Sequence, residues 1–203
     1  MSARCPRLYL VTDRRNTGGR DLLDVVAEAL AGGVDAVQLR EKDLTTRELV
    51  ELGRALNELC RPHRASLLIN DRIDVALAIG AAGVHLPANS FPPRDARALL
   101  GPDALIGCST HSLDEAQSVA GAANFVVFGP IFDTPSKRNL GAPLGLESLA
   151  GACKALRVPI VAIGGIEPRN VERVKGCGVA GVAVIRALLA AEDPRATAQV
   201  LRG

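Results

Sequence analysis

Short apolar runs alternate with longer segments of helical period along the whole chain. Leu8-Tyr9-Leu10-Val11 has no polar break and ends on Thr12-Asp13, the pattern of a buried strand entering a loop. Asp21 is placed to cap a helix over 22–31, in which Leu22, Val25, Val26, Ala29 and Leu30 share one face, and Gly32-Gly33 stops it. Residues 36–39 read as a second strand. Thr46 starts a second helix with Leu49, Leu52, Leu56 and Leu59 inward, ending near Pro62. A third strand over 66–69 ends on Asn70-Asp71-Arg72, before a helix over 73–81.

The alternation continues. Strands are predicted over 84–86, 105–108, 125–128, 158–163 and 181–184. Helices are predicted over 94–100, 113–120, 146–156 and 168–175, with a last one opening at 185–191. The longest loop is 129–145. Small residues recur between a helix end and a strand start, as in Gly33-Val34-Asp35, Ala82-Gly83-Val84 and Gly178-Val179-Ala180-Gly181. This is a repeated βα unit, and strict alternation implies a parallel sheet. Eight units in 203 residues fit an α/β fold of the compact (β/α)8 TIM-barrel type, one domain over 1–203. An open doubly wound sheet is the competitor. No G-x-G-x-x-G follows the first strand, which counts against a dinucleotide-binding version.

Composition narrows the partners. Hydrophobic residues are 48% of the chain, enough for a sizeable core, and the net charge of +2 gives no field suited to nucleic acid or a membrane surface. One Tyr, four Phe and no Trp leave little for base stacking. Five scattered cysteines without a C-x-x-C pair argue against a disulfide framework or structural zinc and for reduced thiols in the cytoplasm. Residues 1–7 have no apolar core of a signal peptide, and no run is long enough to span a membrane. The expected partners are small molecules, with room for a homo-oligomer.

The polar residues collect where strands end. Gln38, Arg40 and Lys42 alternate at the end of the second strand, so they point the same way. Either the strand is running out into solvent, or an anionic, planar ligand lies at the mouth of the sheet. In a barrel, the carboxyl ends of the strands carry the active site. Thr12, Asp13, Asn70, Asp71, Ser109, Thr110 and His111 also fall there, and Thr134, Ser136 and Lys137 follow the sixth strand. Thr134, Ser136 and Lys137 form either an anion grip or an ordinary surface turn. Gly164-Gly165 and Ile185-Arg186 precede helices, where backbone N–H groups suit phosphate, though two glycines also serve any tight βα turn. Asp71 is a candidate either for Mg2+ or for capping the next helix. His111 is suited to moving a proton or to capping, whereas His85 reads as a satisfied residue within its strand and Cys108 as packing.

Seven collinear stretches resemble the thiamine phosphate synthases and their thiazole tautomerase relatives. They are Leu10-Val11-Thr12-Asp13, Gln38-Leu39-Arg40-Glu41-Lys42, Ile69-Asn70-Asp71-Arg72, Gly83-Val84-His85-Leu86, Gly107-Cys108-Ser109-Thr110-His111, Gly129-Pro130-Ile131-Phe132 and Ala162-Ile163-Gly164-Gly165-Ile166. The resemblance implies a transferase that joins hydroxymethylpyrimidine diphosphate to hydroxyethylthiazole phosphate, releasing diphosphate. It implies that Gln38, Arg40, Lys42, Asn70, Ser109 and Lys137 bind the pyrimidine diphosphate and that Asp71 binds Mg2+. It assigns the thiazole phosphate to Thr134, Ser136, Gly164, Gly165, Ile185 and Arg186.

The chain departs from that family at two places. Pro87-Ala88-Asn89-Ser90 stands where the synthases carry Gly-Gln-Glu-Asp, so Ser90 replaces the second metal-binding carboxylate. Arg186 stands where a Ser is commoner. The tautomerases lack that carboxylate too and use a His near the position of His111. A metal-independent thiazole tautomerase is therefore the main alternative, and a non-catalytic phosphate-ligand sensor or regulator is a third reading.

Overall fold

Eight parallel strands close on themselves in the order of the chain: β1 (Leu8–Val11), β2 (Ala36–Leu39), β3 (Ser66–Asn70), β4 (Gly83–Leu86), β5 (Leu105–Thr110), β6 (Phe125–Phe128), β7 (Ile160–Ile163) and β8 (Gly181–Val184). β8 pairs back onto β1, with Leu8 opposite Val182. The computed structural model describes residues 5–134 and 142–203. The predicted (β/α)8 TIM barrel is the observed fold.

Strand parity builds two cores. One set of alternating residues, among them Leu8, Leu10, Val37, Leu39, Leu67 and Ile69, packs outward under the helices. The other set, Tyr9, Ala36, Leu68, Leu105, Phe125, Val127, Val161 and Ala183, fills the barrel interior. Its two largest members are aromatic, with Tyr9 edge-on to Phe125 at 5.8 Å between centroids. Gly107 makes room for Phe125: a Cβ there would lie 2.4 Å from the ring tip.

The outer helices are α1 (Leu22–Ala31), α2 (Thr46–Cys60), α3 (Ile73–Ile79), α4 (Pro93–Leu100), α5 (Leu113–Val119), α6 (Gly145–Ala155), α7 (Val171–Lys175), α8 (Arg186–Leu189) and α9 (Pro194–Arg202). Asp21 caps α1 by accepting from the N–H groups of Leu23 and Asp24, and Thr45 with Glu48 forms a capping box on α2. Leu49 and Leu56 of α2 are buried as expected. Leu52 and Leu59 are only half-buried, and Gly53 and Cys60 complete the buried stripe.

Several boundaries differ from the sequence expectation by a residue or two, among them β7, which starts at Ile160 rather than 158, and α3, which ends at Ile79 rather than 81; three differences are larger or bear on the site. β5 runs on to Thr110, so Ser109 and Thr110 are strand residues rather than loop residues. α7 starts at Val171 instead of 168, because the Asn170 side chain takes the Glu167 N–H and gives its amide to the Gly165 carbonyl, holding a turn there. The last helix is two helices. Pro194 cannot continue the ladder of α8, and Asp193 caps a new helix by accepting from Ala196 N–H. Among the described residues no helix is long and apolar enough to cross a membrane.

Candidate active site

Above the aromatic layer the inward positions turn polar. Gln38, on the same parity as Ala36, is buried and donates its amide to the Tyr9 hydroxyl at 3.1 Å. Burial pushes the Tyr9 phenol far above its ordinary value, so it stays protonated and neutral. His85 is buried on β4, and its Nε2 lies 2.8 Å from Ser109 Oγ on β5. The Tyr9 and His85 rings are tilted at 6.1 Å, so Tyr9 links the two pairs. Asn70 is in register with His85 across β3 and β4, on the same parity as Leu68. Register and parity thus bring Gln38, Asn70 and Ser109 to one polar floor. Tyr9 was missed in the sequence, where it lay inside an apolar run. The available signal was that the chain's one Tyr shares its parity with the barrel-lining positions.

The exits of β1 and β2 are stitched together beside this floor. Thr12 donates its N–H to the Gln38 carbonyl, and its hydroxyl accepts the Arg40 N–H, both at 2.9 Å. Glu41 is buried, and its carboxylate accepts from Arg14 twice at 3.0 Å, from the backbone N–H and from Nη1. The Arg14 guanidinium also forks onto Asp43 at 2.7 and 2.6 Å, and Arg15 reaches the same carboxylate at 2.5 Å. The bonds from Arg14 hold the Asp43 carboxyl well below the usual carboxylate range. Arg40 is half-buried and Lys42 exposed. No hydrogen bond or ion pair among the described residues uses the side chain of either.

Asp71 and Ser90 meet on the next sector of the rim. Asp71 sits in the left-handed region, at φ 61°, with its N–H on the His85 carbonyl at 2.9 Å. It does not cap α3: the residue at that cap is Arg72, with no side-chain cap bond. The Ser90 hydroxyl donates to Asp71 Oδ1. Asp71, Asn89, Ser90 and Phe91 line an open cleft of about 480 Å³. The nearest cation in sequence, Arg72, is spent on Asp74 at 2.8 and 2.6 Å and on Thr46 at 3.0 Å. Among the described residues no group of three His, Cys, Asp or Glu side chains is placed to hold a metal. One carboxylate with an adjacent hydroxyl, open to solvent, suits Mg2+, which keeps waters and completes its shell with substrate phosphate oxygens.

The remaining sector is built by the loop after β6. His111 Nδ1 lies 2.6 Å from the Gly129 carbonyl, which can only accept, so Nδ1 carries the proton. The His111 N–H donates to Glu115 at 2.7 Å. Ile131 and Phe132 donate to the carbonyls of Ile163 and Gly164 at 2.9 and 3.0 Å. Gly164 and Gly165 have φ of 103° and 65°, and a Cβ on Gly164 would lie 2.6 Å from Pro130 Cα. Both glycines are therefore required by close approach as well as by the turn. Thr134 is half-buried at the end of the described part of this loop; Ser136 and Lys137 lie outside the described residues. Ile185 precedes α8, whose four residues are too few for a useful helix dipole, and Arg186 is exposed.

The thiamine monophosphate synthase family model matches residues 8–188. The chain is 47% identical over 196 residues to the thiamine-phosphate synthase of Moorella thermoacetica, covering 96% of this chain and 93% of that one. It is 49% identical over 197 residues to that of Albidiferax ferrireducens, covering 97% and 90%. The solved thiamine phosphate pyrophosphorylase from Pyrococcus furiosus is similar with a TM-score of 0.88 and 38% identity, covering 97% of this chain and 93% of that one.

Proposed function

The chain belongs to the thiamine monophosphate synthase family, and on that premise we propose how its own residues carry out the family's reaction. It is a transferase of thiamine biosynthesis, which joins hydroxymethylpyrimidine diphosphate to hydroxyethylthiazole phosphate and releases diphosphate. The relatives carry the synthase name, which favours this reading over the tautomerase and the sensor.

The observation that carries the proposal is that Arg40 and Lys42 have no side-chain partner among the described residues, beside a neutral, hydrogen-bonding floor. Gln38, Asn70 and Ser109 take the pyrimidine ring, whose edges need neutral donors and acceptors. Arg40 and Lys42 take the diphosphate, with Lys137 assigned to the same group by resemblance. Asp71, with Ser90 beside it, holds Mg2+. When bound, that ion supplies positive charge against the leaving diphosphate. Thr134, Ser136, Gly164, Gly165, Ile185 and Arg186 take the thiazole phosphate.

The chemistry is dissociative. The bond from the pyrimidine methylene to diphosphate oxygen breaks first, and the electron pair leaves with the diphosphate. The thiazole nitrogen then donates its lone pair to the pyrimidine cation. Arg40 and Lys42 act on the charge that grows during the first step, where preorganised cations count for more than they do in water. His111 keeps the Gly129 carbonyl and the loop behind it in place, with no proton to transfer in this reaction. The free thiols and the absence of a membrane-length helix among the described residues support a cytoplasmic placement.

A direct test is product formation from both synthase substrates with and without Mg2+, run beside an assay for isomerisation of a thiazole carboxylate phosphate. Magnesium-dependent thiamine phosphate formation and no isomerisation are expected. Isomerisation without the pyrimidine substrate would overturn the reading.

A further inference from the structure

Arg40, Glu41, Lys42 and Asp43 alternate in charge along four consecutive residues. Left to themselves, neighbouring opposite charges neutralise one another, and a grip for diphosphate would be lost. The fold separates the signs. β2 ends at Leu39, and just beyond it Glu41 is buried while Arg40 is half-buried and Lys42 is exposed. From the loop after β1, Arg14 then claims both acids: Glu41 by its backbone N–H and Nη1, and Asp43 by a two-pronged contact that Arg15 reinforces. The result is two acids fully occupied and two cations with no partner among the described residues.

The Arg14–Asp43 fork is bidentate and shared with Arg15, so it can steady the loop, but it also occupies the carboxylate that stands next to Lys42 in the chain. We propose that Arg14 is a positioning residue for the diphosphate grip: by holding Glu41 and Asp43 it keeps their carboxylates off Arg40 and Lys42. Arg14 does not itself touch the substrate. Its work is to prevent an internal anion from competing with the external one. This rests on the assignment of Arg40 and Lys42 to the diphosphate.

Three variants and a control separate the outcomes. Arg14→Met releases Asp43 and should raise KM for the pyrimidine diphosphate about fivefold, with KM for the thiazole phosphate unchanged. Asp43→Asn in the Arg14→Met background should restore the pyrimidine KM, because Glu41 is buried and keeps the backbone N–H of residue 14, so Asp43 is the acid that the Met variant sets free. A loop that had merely lost its anchor would not be rescued by removing a second side chain, so failure of rescue would overturn the proposal. Asp43→Asn alone should leave the pyrimidine KM within about twofold, since its charge is already neutralised. A clear fall in that KM would mean that Asp43 already competes in the native protein, and would overturn the proposal even if Arg14→Met does not fold. Arg40→Ala is the control: if it leaves the pyrimidine KM unchanged, the assignment of the grip itself is wrong, whatever Arg14 does.

Discussion

The Ser90 hydroxyl donates a hydrogen bond to the Asp71 carboxylate, joining two positions 19 residues apart on adjacent sectors of the rim. A hydroxyl is a neutral, weak ligand for a hard cation, so the pair brings one negative charge to the metal instead of two. Ser90→Asp should tighten Mg2+ about tenfold, because affinity at such sites follows ligand charge. Calorimetric titration of Mg2+ into the two proteins reads this directly. Equal affinities would remove position 90 from the metal site.

On the proposed assignment of Ser109 to the pyrimidine, His85 acts on the substrate through the Ser109 hydroxyl. If the 2.8 Å contact orients the serine hydroxyl, His85→Phe should lower kcat/KM for the pyrimidine substrate about tenfold, the usual cost of one lost hydrogen bond. His85→Gln should recover part of the loss, because an amide can still reach the hydroxyl. The thiazole KM should not move. A loss spread equally over both substrates would point to general damage to the barrel interior.

Gly164 is constrained twice, by its φ of 103° and by Pro130 against the space a side chain would need. Gly164→Ala should cost roughly 2–3 kcal/mol in urea unfolding. Gly80 also has positive φ, at 62°, but opens into free space. Gly80→Ala should cost only about 1 kcal/mol. Equal losses would show that the close approach to the loop after β6 does not matter.

Burial pushes the thiols of Cys60 and Cys108 up to about 12, from an ordinary value near 9.0. Each thiol therefore holds its proton more tightly in the folded chain than in the unfolded one. Their contribution to stability is complete below about pH 9 and is lost as the pH rises toward 12, by about 1.4 kcal/mol per pH unit for each thiol. The Cys60→Ala/Cys108→Ala variant should be less stable at neutral pH, because each substitution leaves a cavity, yet lose stability less steeply between pH 9 and 11. Parallel slopes would show that these thiols do not contribute to the alkaline limit.

The barrel was legible because its signal is periodic: eight apolar runs, each followed by a helical face or a short helix, admit few arrangements. Parity also placed Gln38 inside the barrel, but the alternation read over 38, 40 and 42 does not hold: β2 ends at Leu39 and Lys42 lies in a turn. What escaped was pairing between distant strands. Nothing in Arg40-Glu41-Lys42 announces that the middle residue is buried against Arg14, because a charge's partner across the sheet leaves no local trace. Ser90 came into view only through a resemblance, since a lone serine in a loop has no periodicity. The division of the last helix is written in the sequence: Asp193-Pro194 is a capping residue followed by proline at the first helical position. The five-residue α7 depended on the Asn170 side chain bonding the turn before it, a local competition that helical periodicity does not register.

The ring of strands is completed by its first and last members, and the ends of the protein depend on each other. Arg202 on α9 reaches back to the Gly33 carbonyl and to Asp35, across 169 and 167 residues, and Asp35 also accepts the N–H groups of Arg7 and Leu8. During synthesis β1 emerges early and has no second neighbour until β8 follows. Until then the nascent chain carries an open edge, able to pair with another chain. Closure between such distant partners is slow. A fragment ending after β7 would leave β1 and β7 each with one edge unpaired.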